Sequence, residues 1–314
     1  MTAPDMSLPV VLDRRLAEAG LDAAAVEALV AGALAEDLAG GVDVTSVAVI
    51  APDDVAVADF VSRARGVVAG LPIVSAVLWI ATGGSAEIDE RVVDGMRVEP
   101  ATTVLSATGA TRSLLTAERT ALNLLGHLSG IATLTRQWVD AIAGSGAAIR
   151  DTRKTTPGLR TLEKYAVRCG GGVNHRMSLS DAALIKDNHV VAAGGVAAAF
   201  RAVRAAFPQL PVEVECDTIE QVDEALEAGA DLILLDNMSL ESMRAAVALV
   251  RERGSSCRLE ASGGLTLANA AAVAATGVDY LAVGALTHSA PVFDIGVDLR
   301  AVDLGARSTD AADD

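Results

Sequence analysis

AAIRDTRKTTPGLRTLEKYAVRCGGGVNHRMSLSDAALIKDNH, residues 147–189, contains three short β-rich runs, AAIRDTRKT, GVNHRM and ALIKDNH, and each ends in polar or charged residues. The pattern continues through PVEVECD, DLILLDN, CRLEASGG and YLAVGAL, with Ala-rich helical segments between the runs. Strand candidates that alternate with helices imply a parallel sheet covered by those helices. Seven of them in this length of chain suit an open or incomplete barrel better than a closed eight-stranded one.

Upstream the texture differs. Residues 9–39 place apolar side chains at helical spacing (Val11, Leu12, Leu16, then Val26, Leu29, Val30, Leu34), broken by Gly20 and closed by Gly40-Gly41, which predicts two helices. Val55 to Val68 alternates as a hairpin would, Pro72 to Ala81 reads as a short helix, and Ala86 to Thr108 mixes short strands with DG and EP turns. Ser113 to Ile142 is a long apolar helical region with a predicted interruption near Ser129-Gly130. The run VFDIGVDLRAV reads as one more strand after the barrel, returning to the first domain. The resulting division is an N-terminal domain over 1–128, rejoined by 291–304, a barrel over 129–290, and a disordered acidic tail over 305–314.

Of 314 residues, 51% are hydrophobic and 21% charged, enough apolar content for a large core. The first twenty residues lack the apolar stretch of a signal peptide, and no segment is long and apolar enough to span a bilayer. Cys169, Cys216 and Cys257 are odd in number and show no C-x-x-C spacing, which disfavours a disulfide framework or a cysteine-only zinc site and fits a reducing cytoplasm. A formal net charge of −16 gives no reason to expect nucleic-acid or anionic-membrane partners. An anionic substrate therefore needs a local basic pocket, and the only three lysines among 25 basic residues, Lys154, Lys164 and Lys186, all fall in the opening segment. Where ammonium and guanidinium are not interchangeable, that retention marks a candidate pocket.

Catalytic groups of parallel α/β barrels lie at the C-terminal ends of the strands. Here those ends carry Thr152-Arg153-Lys154, His175-Arg176, Lys186 to His189, Glu215, Asp236-Asn237, Ser262-Gly263-Gly264, and Gly284 with His288 beyond. The first three ends are basic and can hold carboxylates or pyrophosphate; the next two are acidic and can bind ribose hydroxyls, hold magnesium or stabilise a cationic ribosyl centre. The last two are small and Gly-rich, suited to presenting backbone N–H groups to a phosphate.

The whole run DTRKTTPGLRTLEKYAVRCGGGVNHRMSLSDAALIKDNH, with EDLAGGVDVTS and ERTALNLLGHLSGIAT upstream and EVECD, LLDNMS, EASGGL and GVDYLAVGALTHSAP downstream, resembles the quinolinate phosphoribosyltransferases. The resemblance implies an N-terminal α/β sandwich joined to an open seven-stranded, TIM-like barrel, in a homodimer that shares its active sites. It implies transfer of phosphoribose from phosphoribosyl pyrophosphate to quinolinate with loss of carbon dioxide, giving nicotinate mononucleotide in NAD biosynthesis. Thr152, Arg153, Lys154, His175, Arg176 and Lys186 would form the basic pocket, and Arg119 would reach it from the neighbouring subunit. Glu215 and Asp236 would hold the ribose and its magnesium, Ser262, Gly263, Gly284 and His288 the phosphate, with Lys154, Lys186, Glu215 and Asp236 as the catalytic set. One departure is Ala101, where the family often has glycine after the proline of the EP turn.

Other readings of the same residues remain open at this level. Lys186 could be a Schiff-base nucleophile, His175 and His189 zinc ligands, and Gly170 to Gly172 a phosphate cradle, although a flexible turn suits that run better. A paralogue acting on another acceptor, such as the type associated with molybdenum transport, or a non-catalytic regulator, would be expected to lose part of the set. Arg119, Arg153, Lys154, His175, Arg176, Glu215 and Asp236 are all present.

Overall fold

A computed structural model describes residues 8–302; the tail at 305–314 lies outside the described residues. Two compact units emerge, one holding the chain up to Ser129 together with the stretch from Val292 on, the other running from Gly130 to Pro291.

In the first unit, helices α1 (Val10–Glu18) and α2 (Ala23–Leu38) are followed by a short α3 (Val44–Val49), strands β1 (Val55–Ser62) and β2 (Gly66–Val67), and α4 (Leu71–Ala81). Strands β3 (Glu87–Glu90), β4 (Arg97–Val98) and β5 (Thr103–Ala110) then lead into α5 (Thr111–Ala141). Eight consecutive residues of α4, Leu71 to Leu78, are buried, as expected of a helix that is apolar all round. The Asp94 carboxylate caps this helix, accepting from the backbone N–H groups of Gly70 and Leu71 at 2.9 and 3.2 Å. Glu90 of β3 ties two helices to the sheet: it accepts from the Ser75 hydroxyl at 2.7 Å and pairs with the Arg15 guanidinium.

Two expectations fail here. Val55 to Val68 is not a hairpin, because β1 pairs with β5 and the last strand, while β2 pairs with β4. Alternation reports which faces are buried, not which strand is the partner. Nor does α5 break at Ser129-Gly130. The Ser129 hydroxyl is fully buried and accepts from the Ala69 N–H at 3.0 Å, and a glycine inside a long packed helix costs only about 1 kcal/mol.

The second unit alternates strands and helices: β6 (Ala148–Arg150), α6 (Arg160–Cys169), β7 (Ala183–Ile185), α7 (Asp187–Ala193), α8 (Val196–Ala206), β8 (Val212–Cys216), α9 (Ile219–Glu227), β9 (Leu232–Asp236), α10 (Leu240–Glu252), β10 (Arg258–Ser262), α11 (Leu267–Ala274), β11 (Tyr280–Ala282) and α12 (Ala285–His288). Six strands form one parallel sheet in the order β6-β11-β10-β9-β8-β7. The seventh predicted strand, in GVNHRM, is reduced to a single parallel bridge between Val173 and Arg150. Residues two apart share a face of each strand. One face is apolar throughout and buried: Ile149, Ile185, Val214, Cys216, Ile233, Leu235, Leu259, Ala261 and Leu281. The other carries Arg150, Glu213, Glu215, Asp236, Glu260 and Ser262.

Side-chain caps start the helices right after the strand ends: Thr218 for α9, Ser239 for α10 and Thr266 for α11 accept from backbone N–H groups three residues on. Gly170 to Gly172 is not a loose turn. A Cβ on Gly170 would lie 2.5 Å from Thr135 Cβ and 2.6 Å from the Ala132 carbonyl oxygen, so glycine is required by close packing on α5. After the barrel the chain returns to the first unit, where β12 (Ile295–Ala301) pairs antiparallel with β1 and completes the sheet β12-β1-β5-β3.

Candidate active site

The polar face of the parallel sheet opens into a cavity of about 680 Å³ at the C-terminal strand ends. Every residue assigned to the site from sequence lines it except Arg119. Arg119 is exposed on the first-unit part of α5 and lines a separate recess with Leu122, Asn123 and residues 292–295.

On the basic side, the loop after β6 is folded by a bond from the Lys154 N–H to the Thr152 hydroxyl at 3.0 Å and held by the Thr287 hydroxyl, which donates to the Lys154 carbonyl at 2.7 Å. The buried Nε of Arg153 has no hydrogen-bond partner in the protein, so its N–H is a donor available to a ligand. Arg176 is anchored through one nitrogen to the Ala182 carbonyl at 2.9 Å. Burial, and then the like charge of Arg153, push its pKa below the usual guanidinium value. Two guanidinium groups lining one cavity form a receptor for an anion.

Lys186 caps α7, its N–H donating to His189 Nδ1 at 3.0 Å, so His189 shapes the turn. The Lys186 ammonium is about half exposed and pairs with Glu215. It therefore lacks the dry apolar pocket that a Schiff-base lysine needs.

Glu215 and Asp236 end the neighbouring strands β8 and β9, and both carboxylates line the cavity. An oxygen-only pair of this kind, beside room for phosphate oxygens, fits a magnesium ion. The Asn237 amide donates to Asp236 Oδ2 at 2.7 Å. Asn237 itself takes a left-handed backbone, φ 51°. Gly263 is fixed by this neighbour: its φ is 82°, and a Cβ there would fall 2.1 Å from Asn237 Oδ1. His288, at the end of α12, shares a 2.6 Å hydrogen bond between its Nδ1 and the Ser289 hydroxyl.

One pleat below, His175 meets three charged residues that strand-end reasoning missed, Arg150, Glu213 and Glu260, the last of which also lines the cavity. His175 Nε2 is 2.7 Å from Glu213 Oε2 and 3.7 Å from Glu260 Oε1, and Arg150 donates to Glu260 Oε2 at 2.6 Å. His175 Nδ1 accepts the Arg176 N–H at 2.7 Å, which assigns the ring proton to Nε2, facing Glu213. Burial first, and then the charge of Glu213, raise the Glu260 carboxyl to about 8 against the pull of Arg150. The ligand atoms of His175, Glu213 and Glu260 lie within 4.8 Å of one another, and His189 is not among them. Arg150 supplies the countercharge in this cluster. The period of two contained the signal, since Glu213 and Glu260 stand two residues before Glu215 and Ser262.

Lys164 corrects another expectation. It does not line the cavity; it is fully buried on α6 and bonds to Asp151 Oδ1 at 2.5 Å.

The family described as quinolinate phosphoribosyl transferase, N-terminal domain, matches residues 43–129, and its C-terminal domain matches residues 131–298. The chain belongs to this family. It is 54% identical over 268 residues to the carboxylating nicotinate-nucleotide pyrophosphorylase of Mycobacterium leprae, covering 85% of this chain and 94% of that one. The human protein of that name is 39% identical over 77% of this chain and 82% of its own. The solved nicotinate-nucleotide pyrophosphorylase of Francisella tularensis superposes with a TM-score of 0.83 at 38% identity, covering 88% of this chain and 96% of that structure.

Proposed function

We infer that this chain transfers phosphoribose from phosphoribosyl pyrophosphate to quinolinate with decarboxylation, yielding nicotinate mononucleotide, pyrophosphate and carbon dioxide in NAD biosynthesis. The observation that carries the reading is one cavity in which Arg153, Lys154, Arg176 and Lys186 face Glu215 and Asp236. A pyridine dicarboxylate needs the first set and a cationic ribosyl centre the second.

In this reading Arg153 and Arg176 grip the acceptor's carboxylates beside Thr152, while Lys154 and Lys186 neutralise the departing pyrophosphate. His175 has both ring nitrogens engaged by protein groups, so it shapes the acceptor side rather than adding charge. Glu215 and Asp236 stabilise the ribosyl carbon as the pyridine nitrogen attacks it and the bond to pyrophosphate breaks. The carboxylate next to that nitrogen then leaves as carbon dioxide, its electron pair stays beside the pyridinium nitrogen, and the ring carbon takes a proton. Glu215 and Asp236 would also hold a magnesium ion, which supplies charge neutralisation at the pyrophosphate. Ser262, Gly263, Gly284 and His288 bind the ribose phosphate. Holding two reactants in line accounts for most of the acceleration.

The reading extends to a homodimer in which Arg119 of one subunit completes the cavity of the other. Its exposure on α5 supports this. Three cysteines outside any disulfide and the lack of a membrane-length apolar helix among the described residues are compatible with a cytoplasmic enzyme.

Purified protein with phosphoribosyl pyrophosphate and magnesium should release one carbon dioxide per nicotinate mononucleotide from quinolinate and should not use nicotinate. Absence of turnover with either acceptor would overturn the assignment.

A further inference from the structure

The segment that carries His175 and Arg176 stands where a barrel strand is missing. Only Val173 is in register, donating to the Ile149 carbonyl at 2.8 Å and accepting the Asp151 N–H at 3.2 Å. Backbone polar groups beyond it still need partners, and side chains supply them. The His175 N–H donates to Asp151 Oδ1 at 2.8 Å, and the His175 carbonyl accepts from Lys164 Nζ at 2.8 Å. Lys164 also binds Asp151 directly, so one buried ion pair grips both the N–H and the carbonyl of His175. Asn174 closes the clamp, its amide donating to Asp151 Oδ2 at 2.5 Å and to the Lys164 carbonyl at 2.9 Å.

Both charges of the pair have no solvent exposure. Burial pushes the Asp151 carboxyl up and the Lys164 ammonium down, and each is the main force opposing the shift of the other. Attraction between the two charges is by itself a weak reason to bury them, because desolvation offsets much of it. What the pair provides, and apolar residues could not, is an acceptor and a donor aimed at the N–H and the C=O of one residue.

We propose that Asp151, Lys164 and Asn174 are positioning residues for acceptor recognition: together they replace the missing strand ladder and hold the His175-Arg176 segment so that Arg176 meets a carboxylate of the pyridine substrate. None of the three lines the cavity. The role rests on the reading above that Arg176 grips the acceptor. Arg176 is tied to the clamped residue by its N–H to His175 Nδ1, and its guanidinium is anchored separately on the Ala182 carbonyl.

The test compares full-length Asn174→Ala, the double variant Asp151→Asn/Lys164→Met, and Arg176→Ala, measuring kcat, KM for each substrate and the thermal midpoint. Removing both charges together avoids leaving one buried and unpaired, and Asn174→Ala loosens the clamp while keeping the ion pair. Loosening by a fraction of an ångström should raise KM for quinolinate by about tenfold or more, with KM for phosphoribosyl pyrophosphate changing less than about threefold. Arg176→Ala should show the same selectivity. If Arg176→Ala is selective but a folded Asn174→Ala is not, the clamp is structural only and the proposal falls while the site assignment stands. If Arg176→Ala leaves the quinolinate KM unchanged, the acceptor reading falls and the proposal with it.

Discussion

Glu213 and Glu215 lie on one face of one strand, two residues apart, yet their surroundings differ in kind. Glu215 meets Lys186 at the cavity and is open to a substrate, whereas Glu213 is buried against His175 and belongs to a layer with Glu260 and Arg150. On β10 Ser262 ends the strand and Glu260, with no exposure, sits one pleat below, at the floor of the same cavity. The barrel interior therefore has two tiers of charge. The upper tier faces the cavity, where a ligand can meet it, and the lower tier holds His175 through Glu213. Distance from the strand end, a matter of two residues, decides which tier a side chain joins.

A pH profile offers the larger test of that split. The raised carboxyl of Glu260 means that the folded protein retains a proton which the unfolded chain releases above its ordinary carboxyl range. This contribution to stability is full below about pH 4.5 and is lost as pH rises through about 8. Glu260→Gln keeps an acceptor for Arg150 and cannot ionise, so thermal midpoints between pH 6 and 9 should decline less steeply than in the wild type. Equal slopes would mean that Glu260 is ionised throughout and that the lower tier is an ordinary salt-bridge network.

The smaller test calibrates stability against activity. Glu99 to Thr102 forms a turn closed by the Thr102 N–H on the Glu99 carbonyl at 3.2 Å, with Pro100 second and Ala101 third. Ala101 has φ 67°, the position of such a turn that favours glycine. Ala101→Gly should stabilise the protein by about 1 kcal/mol with kcat and KM unchanged. A loss of stability would show that the turn is not strained.

Much of this was legible in the sequence. Period-two runs and helical spacing gave the strands from β6 to β11, the returning β12 and the helices α1, α2 and α4, because each element buries one patterned face. The polar strand ends gave the upper tier, because C-terminal ends of parallel strands open outward. The pairing of β1 was not legible, since a central strand's pattern is silent about its neighbours. Lys164 was misleading: a lysine among anion-binding candidates looks the same in sequence whether it faces a cavity or grips a peptide group from below. The reduced strand at Val173 was hidden because its replacement bonds come from Asp151, Lys164 and Asn174, scattered over two loops and a helix.

The most direct measurement is one substitution made twice on β8, Glu215→Gln and Glu213→Gln, each followed by kcat and thermal midpoint. The two-tier account predicts that Glu215→Gln loses on the order of 100-fold in kcat with its midpoint nearly unchanged. It predicts that Glu213→Gln loses roughly 1–3 kcal/mol of stability and much less kcat. Equal losses of kcat from both variants at unchanged midpoint, or a fully active Glu215→Gln, would contradict it.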